Sequence, residues 1–237
     1  MLSPWLILVP VTMLAWAWLA RRIMDNPRDE ALMGLAYHAG RLYARLVHDL
    51  RIEGLENIPH GKNPGPLIVI ANHTAGIDPV LIQAALPFYV RWMMGKDMML
   101  PAMDTIWEWL EIVSVRRGER DMAAARVGLR HLANGGVLGV FPEGRLERPP
   151  GQIRPFHPGI GLLVNKTGAP ILPIVIRGTP QVDPAWASLR IPSHSVLTIH
   201  PIIRHERGAT PPDEITRDLM ARFCAWTGWP MNDGHTS

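Results

Sequence analysis

The residues most able to do chemistry stand where apolar runs stop. The run PLIVIA ends at Asn72 and His73, and Asp78 follows after a short stretch that contains Gly76. On one continuous helix, side chains at this spacing point well away from each other, so His73 and Asp78 meet only if the chain bends between them. A bend through Thr74, Ala75 and Gly76 returns the carboxylate, at the start of the next helix, to the imidazole. A carboxylate bonded to one ring nitrogen fixes the tautomer and leaves the other nitrogen free to accept a proton, which is the arrangement of a general base. The plainer reading of the same residues is a helix-capping aspartate beside a histidine that merely ends a strand.

Two further polar clusters follow apolar runs. In VSVRRGERD, Arg116 and Arg117 close a short apolar segment. Paired guanidiniums there suit a phosphate, and equally suit a solvated strand end. In VLGVFPEGRLERPPG the apolar run ends at Phe141, Pro142-Glu143-Gly144 makes a turn, and Arg145 projects from it. Gly144 permits close approach of backbone to a ligand, and Glu143 is placed to hold Arg145 against an anion; a turn with surface charges is the alternative. The single cysteine, Cys224, excludes an internal disulfide and a multi-cysteine metal site. Its setting, LMARFCAWTGW, reads as helix packing. No spaced set of His or Cys ligands is present, so no metal is expected.

The elements that must position these residues alternate. Strand candidates are 67–71, 88–93, 113–115, 137–141, 171–176 and 196–203, several of them continuously apolar, as strands covered on both faces are. Helix candidates are 78–86, 97–110, 119–134, 157–167 and 212–227, the last with Asp213 and Glu214 in its first turn. Strands alternating with helices predict an α/β domain with a mostly parallel sheet flanked by helices. Ligands in such sheets bind at the carboxyl ends of strands, which is where all three polar clusters fall.

Ahead of this domain, residues 2–20 carry no charge and Arg21-Arg22 follow at once. A helix of that length reaches roughly 28 Å, near the hydrocarbon thickness of a bilayer. A cleaved signal peptide places its positive charge before the apolar run, whereas here it comes after. Trp5, Trp16 and Trp18 suit a membrane interface, and Pro4 and Pro10 allow an obliquely inserted anchor as readily as a full span. The arginine pair puts the remainder on the cytoplasmic side. Residues 27–50 read as an amphipathic helix begun by Asn26 and Pro27, with Leu32, Leu35, Ala39, Leu42, Leu46 and Leu50 in a stripe that faces either the core or a bilayer. Residues 1–50 are thus expected to form a membrane-anchoring helical segment and 51–237 a catalytic domain.

From about Leu50 to about Gly178 the ordered blocks LRIEGLENIP, the H-x4-D of His73 and Asp78, VSVRR, FPEG and PILPIVIRG resemble the lysophospholipid acyltransferase family. Its bacterial members include the 1-acyl-glycerol-3-phosphate acyltransferases. The resemblance implies that His73 takes the proton of an acceptor hydroxyl, whose oxygen attacks the thioester carbonyl of acyl-CoA or acyl-carrier protein, with Asp78 orienting the histidine. It implies no cofactor beyond that donor substrate, and no acyl-enzyme. Asn72, Arg116, Arg117, Glu143, Gly144 and Arg145 become the candidate substrate-binding residues, with Arg116 contacting a glycerophosphate. Two positions depart from the family pattern. Ala75 stands where the first motif commonly has serine, and Leu146 stands where the third motif has arginine, Arg145 instead following Gly144 directly. FPEGR is similar to versions acting on lysophosphatidylethanolamine, so a larger or differently charged lysolipid than lysophosphatidic acid is a candidate acceptor. Membrane lipids, a lysophospholipid acceptor and acyl-carrier protein are the expected partners.

Two rival readings keep the same residues. One is a lipid-binding homologue of the same fold without catalysis, which would have no need of a base. The other is a soluble α/β protein that binds nucleic acid through its arginines, which leaves the uncharged N-terminal run unexplained and finds the arginines dispersed rather than gathered in one basic segment.

Overall fold

In a computed structural model of the chain, residues 5–116 and 121–232 are described. The helices are α1 (Trp5–Met24), α2 (Ala31–Val47), α3 (Asp78–Ala85), α4 (Asp104–Trp109), α5 (Met122–Ala133), α6 (Gly159–Thr167) and α7 (Pro212–Thr227). The strands are β1 (Arg51–Glu53), β2 (Leu67–Ala71), β3 (Arg91–Gly95), β4 (Val113–Val115), β5 (Val137–Val140), β6 (Ile171–Arg177) and β7 (Val196–Ile199).

All five residues of β2 are apolar and buried, so the strand has to be covered on both faces. Leu67, Val69 and Ala71 share one core with Ala44 of α2 and Leu81 and Ile82 of α3. Ile68 and Ile70 turn to the other side, where Leu132 of α5, Leu163 of α6 and Phe223 of α7 cover them. The result is a sheet between two helical layers, with strands in the order β1-β7-β6-β2-β5-β3-β4. Every neighbouring pair is parallel except β6 with β7. The expected mostly parallel α/β sheet is therefore present, and β2 lies between β6 and β5.

The boundaries that differ have local causes. The helix expected over 97–110 is broken into short 3-10 turns at Lys96–Met98 and Pro101–Met103 before α4 begins. Pro101 pushes Leu100 out of the helical region, to ψ 121°. The strand expected at 88–93 starts later because the Gln83 side chain donates to the Phe88 carbonyl at 2.9 Å and accepts from the Val90 N–H at 3.0 Å. Beyond β7, Pro201 cannot donate to a ladder, and only Ile203 returns, bridging Ile171.

The helix expected over 27–50 begins at Ala31 instead. Asn26 does not cap it but ties it to α1: its side chain donates to the carbonyls of Ile23 and Glu30, both at 2.9 Å, and accepts from the Arg28 N–H at 3.0 Å. The two helices approach so closely that a Cβ on Gly34 would lie 1.9 Å from the Ile23 carbonyl oxygen. Packing is continuous across residue 50, since Ala44 belongs to the sheet's own core. The leucine stripe of α2 faces outward: Leu32, Leu35, Leu42 and Leu46 are exposed, as are Val11, Leu14, Trp16 and Trp18 of α1. Among the described residues no helix is long and apolar enough to cross a membrane, so the full-span reading of the N-terminal run finds no support. Thr12 and the tryptophans dilute the aliphatic run of α1, and Arg21 and Arg22 occupy its last turn.

Gly139 of β5 is a packing requirement with consequences for the site. A Cβ there would sit 2.4 Å from the Trp92 ring and 2.6 Å from Val90 Cγ1, and Trp92 stacks on Phe141 at 4.9 Å. Gly139→Val is expected to destabilise the protein by about 1–3 kcal/mol through overpacking, read by urea unfolding. A midpoint equal to that of the native chain would show that the ring has room to move.

Candidate active site

The loop after β2 is shaped by two buried side chains. Asn72 takes over where the strand stops: its Nδ2 donates to the Ile176 carbonyl at 2.9 Å and its Oδ1 accepts from the Ile176 N–H at 2.8 Å. It thereby continues the β2–β6 pairing by one side chain. With no exposed surface and both amide groups engaged, Asn72 is a structural residue, which corrects its candidacy for substrate binding.

Asp78, the first residue of α3, is also 0% exposed. A buried carboxylate has to be surrounded by donors, and its Oδ2 accepts from the Thr74 N–H at 2.7 Å, the Ala75 N–H at 2.8 Å and His73 Nδ1 at 3.0 Å. The Thr74 hydroxyl adds a longer bond at 3.3 Å and meets the Thr179 hydroxyl behind it. This is the bend that the residue spacing called for. With Nδ1–H donated to the carboxylate, the neutral ring presents Nε2 as an acceptor, and His73 lines a cavity of about 1260 Å³. The ring lies flat on Phe141, with centroids 4.0 Å apart and planes 16° apart.

The loop after β5 holds the backbone of His73 from the other side. Glu143 Oε1 accepts the His73 N–H at 2.9 Å and Glu143 Oε2 accepts the Arg154 N–H at 2.9 Å. The Glu147 N–H donates to the His73 carbonyl at 2.7 Å. Glu143 therefore does not hold Arg145, as its neighbouring position had suggested; both oxygens are used by backbone donors, and Arg145 is exposed. Burial pushes the Glu143 carboxyl up to about 8, against the pull of the two N–H groups and the Arg154 charge. Gly144 has φ +68°, and a Cβ on it would lie 2.6 Å from the His157 ring, so the turn admits only glycine without strain.

The cavity wall is largely apolar, with Met93, Trp107, Ile112, Leu129 and Leu163 along one stretch and Met33 and Tyr37 of α2 along another. Arg116, Arg145 and Arg154 are its cationic members. Arg116 donates its N–H to Asp121 at 2.9 Å; Arg117 lies outside the described residues. Among the described residues no group of His, Cys, Asp and Glu side chains is placed to hold a metal ion. The arrangement can remove a proton at Nε2, accommodate a long apolar group, and bind an anion close to the base.

Glu147 and Arg154 were not singled out from the sequence. Arg154 is tied to the site through a carboxyl eleven residues earlier, and no motif announces such a bond. Glu147 is fully buried; its Oε1 accepts the Gln152 N–H at 2.9 Å, while Oε2 has no hydrogen-bond partner among the described residues. Burial raises its carboxyl from 4.5 to about 7. A carboxyl with a folded-state value above its unfolded one stabilises fully below the unfolded value, and that contribution is lost as pH rises through about 7. Glu147→Gln keeps the Gln152 bond and puts an amide where the proton sits. It is expected to raise stability at pH 8 relative to the native chain and to flatten the decline between pH 5.5 and 8, measured by urea unfolding. An unchanged slope would place the titration elsewhere.

The model of the family described as Acyltransferase matches residues 49–177. A chloroplastic 1-acyl-sn-glycerol-3-phosphate acyltransferase of Brassica napus is 24% identical over 135 residues, covering 56% of this chain and 38% of that protein. An uncharacterized Mycobacterium tuberculosis protein is 29% identical over 162 residues, covering 64% of this chain and 43% of its own. The chain thus matches about two fifths of the length of these curated relatives. Among solved structures, the 1-acyl-sn-glycerophosphate (LPA) acyltransferase PlsC of Thermotoga maritima superposes with a TM-score of 0.66 at 27% identity, over 81% of this chain and 76% of that one. With His73, Asp78, Glu143 and Gly144 all inside the matched span, and that span more than half of its length, the chain belongs to the Acyltransferase family.

Proposed function

We propose that this protein is an O-acyltransferase that moves a fatty acyl group from a thioester, acyl-CoA or acyl-carrier protein, to the hydroxyl of a lysophospholipid. The observation that carries this reading is the 3.0 Å bond from His73 Nδ1 to the buried Asp78, which leaves Nε2 on a large apolar cavity. The relatives named as 1-acyl-sn-glycerol-3-phosphate acyltransferases support it. Nε2 takes the acceptor's hydroxyl proton as the oxygen attacks the thioester carbonyl. The tetrahedral intermediate then expels the thiolate, breaking the C–S bond, and the imidazolium returns its proton to sulfur. Asp78 stabilises the imidazolium between the two transfers.

An acceptor with one acyl chain resides in a membrane, and the same reading gives the exposed apolar surfaces of α1 and α2 to a bilayer. Docking is oblique rather than spanning, with Arg21, Arg22, Arg41 and Arg45 exposed beside the apolar residues to meet anionic headgroups. The catalytic domain then faces the cytoplasm.

Transfer from labelled acyl-CoA and acyl-carrier protein to a panel of lysolipids tests the reaction. Loss of the base in His73→Ala is expected to lower kcat by at least about 100-fold, in a chain that circular dichroism still shows folded. Retention of more than a tenth of the rate would remove His73 from the mechanism. For the docking surface, Leu42→Asp with Leu46→Asp is expected to weaken association with anionic vesicles by at least about tenfold, since each buried leucine contributes about 1.5–3 kcal/mol. Full retention on flotation would move the contact away from α2.

A further inference from the structure

We propose that Arg154 grips the phosphate of the acceptor's head, as the replacement for the arginine that this chain lacks after its FPEG turn. The inference rests on the acyl-transfer reading above. Leu146 stands where the resemblance leads one to expect that arginine, and Arg145, one position earlier, is an exposed residue of the cavity wall.

The partners of the other arginines single out Arg154. Five arginines of the described residues are half-buried: Arg28, Arg91, Arg148, Arg154 and Arg177. A half-buried guanidinium needs acceptors, and four of them have one within the chain. Arg28 bonds Glu30 and the Trp109 carbonyl, Arg91 the Glu111 carbonyl, Arg148 the carbonyls of Thr74 and Val182, and Arg177 the Trp226 carbonyl. Among the described residues the Arg154 guanidinium has no hydrogen bond or ion pair, and the residue lines the cavity that His73 opens onto.

Its backbone is tied to that of His73. One buried carboxyl, Glu143, accepts the N–H of His73 with one oxygen and the N–H of Arg154 with the other, each at 2.9 Å. Burial pushes that carboxyl up to about 8, so near neutral pH it is mostly protonated and leaves the arginine's charge for a ligand. The acceptor's geometry asks for this proximity. In a glycerophosphate lysolipid the phosphorus is joined to the reacting carbon through one methylene and one ester oxygen, so its receptor has to lie beside the base. The phosphates of CoA sit at the far end of the pantetheine arm and do not meet that condition. A planar guanidinium can engage two phosphate oxygens at once.

Steady-state kinetics with acceptor and donor varied separately, on the full chain with Arg154→Ala and Arg154→Lys, test the assignment. Alanine is expected to raise the acceptor KM by about 10- to 100-fold, the range for losing a charged hydrogen bond, with lysine recovering part of it and the donor KM within about twofold. Calorimetry supplies a readout independent of turnover, using a short-chain 1-acyl-glycerol-3-phosphate and the monoacylglycerol of the same chain. Arg154→Ala is expected to weaken only the first, while His73→Ala changes the two alike, because both carry the hydroxyl that meets Nε2. The substitution leaves the Arg154 N–H in place, so the bond to Glu143 survives, and an unchanged thermal midpoint checks this. An unchanged acceptor KM, a rise in donor KM instead, or equal weakening of the two ligands would overturn the proposal. If the native chain acylates no lysolipid, the acyl-transfer reading falls, while the calorimetric comparison still decides whether Arg154 holds a phosphate.

Discussion

Burying a carboxylate without partners costs several kcal/mol, and a single unmatched group of that kind can unfold a domain. Asp78 is wholly inaccessible, and the surrounding chain can be read as the solution to that constraint. Two consecutive backbone N–H groups, from Thr74 and Ala75, have to converge on one oxygen, which forces the chain to turn directly after β2. The turn carries His73 over the same oxygen, so the donor that completes the shell is the imidazole itself. The strand must then stop without leaving its last pairing open, and the Asn72 side chain does this by bonding both backbone groups of Ile176. Positioning of His73 thus follows from satisfying Asp78.

A second level of support comes from the neighbouring strand. The loop after β5 contributes two more buried carboxyls, Glu143 and Glu147, to the region around His73. Three ionised carboxylates there would repel one another and lack enough donors. The structure resolves this by distributing donors unequally. Asp78 receives the imidazole and two N–H groups on one oxygen, whereas burial drives Glu143 to about 8 and Glu147 to about 7. The donors therefore converge on the carboxyl that touches His73. The price is stability that declines toward alkaline pH, a loss accepted at the site rather than in the hydrophobic layers.

The continuous apolar runs of β2, β5 and β6 made the centre of the sheet legible from the sequence, because a strand buried on both faces leaves nothing else to read. Asn134-Gly135 marked the end of helix α5 in the sequence; its cap at the other end, the Asp121 carboxylate that accepts from the N–H groups of Ala123 and Ala124, was not read there. The bend between His73 and Asp78 was legible too, since no straight element lets residues at that spacing meet. What escaped were bonds between distant segments. The sequence shows Asn72 as a polar residue next to a histidine, and nothing local says that its amide is spent on Ile176. Glu143 next to Arg145 looks like an ion pair until the Arg154 backbone claims one oxygen. Arg154 itself stands in a proline- and glycine-rich stretch with no periodicity, and only the fold brings it to the cavity.

Helix α2 joins the site to what lies outside it. Its stripe of Leu32, Leu35, Leu42 and Leu46 is the strongest apolar periodicity of the N-terminal region, yet it is exposed, while Met33, Tyr37 and Ala44 on the other side are buried. A helix needs one apolar face to fold onto a sheet; a second face left in water is a standing cost of about 25 cal/mol for each Å². Met33 and Tyr37 line the cavity that holds His73, so the two faces are separated by no more than the helix's own thickness. On the proposed reading this thinness matters. An acyl chain leaving a bilayer for water loses about 0.8 kcal/mol for every methylene exposed, which would put free diffusion of a lysolipid into the site out of reach. A helix immersed by one face and walling the cavity with the other lets the chain move from lipid to protein with little of its length wetted. The exposed leucines and the histidine on the cavity then belong to one device.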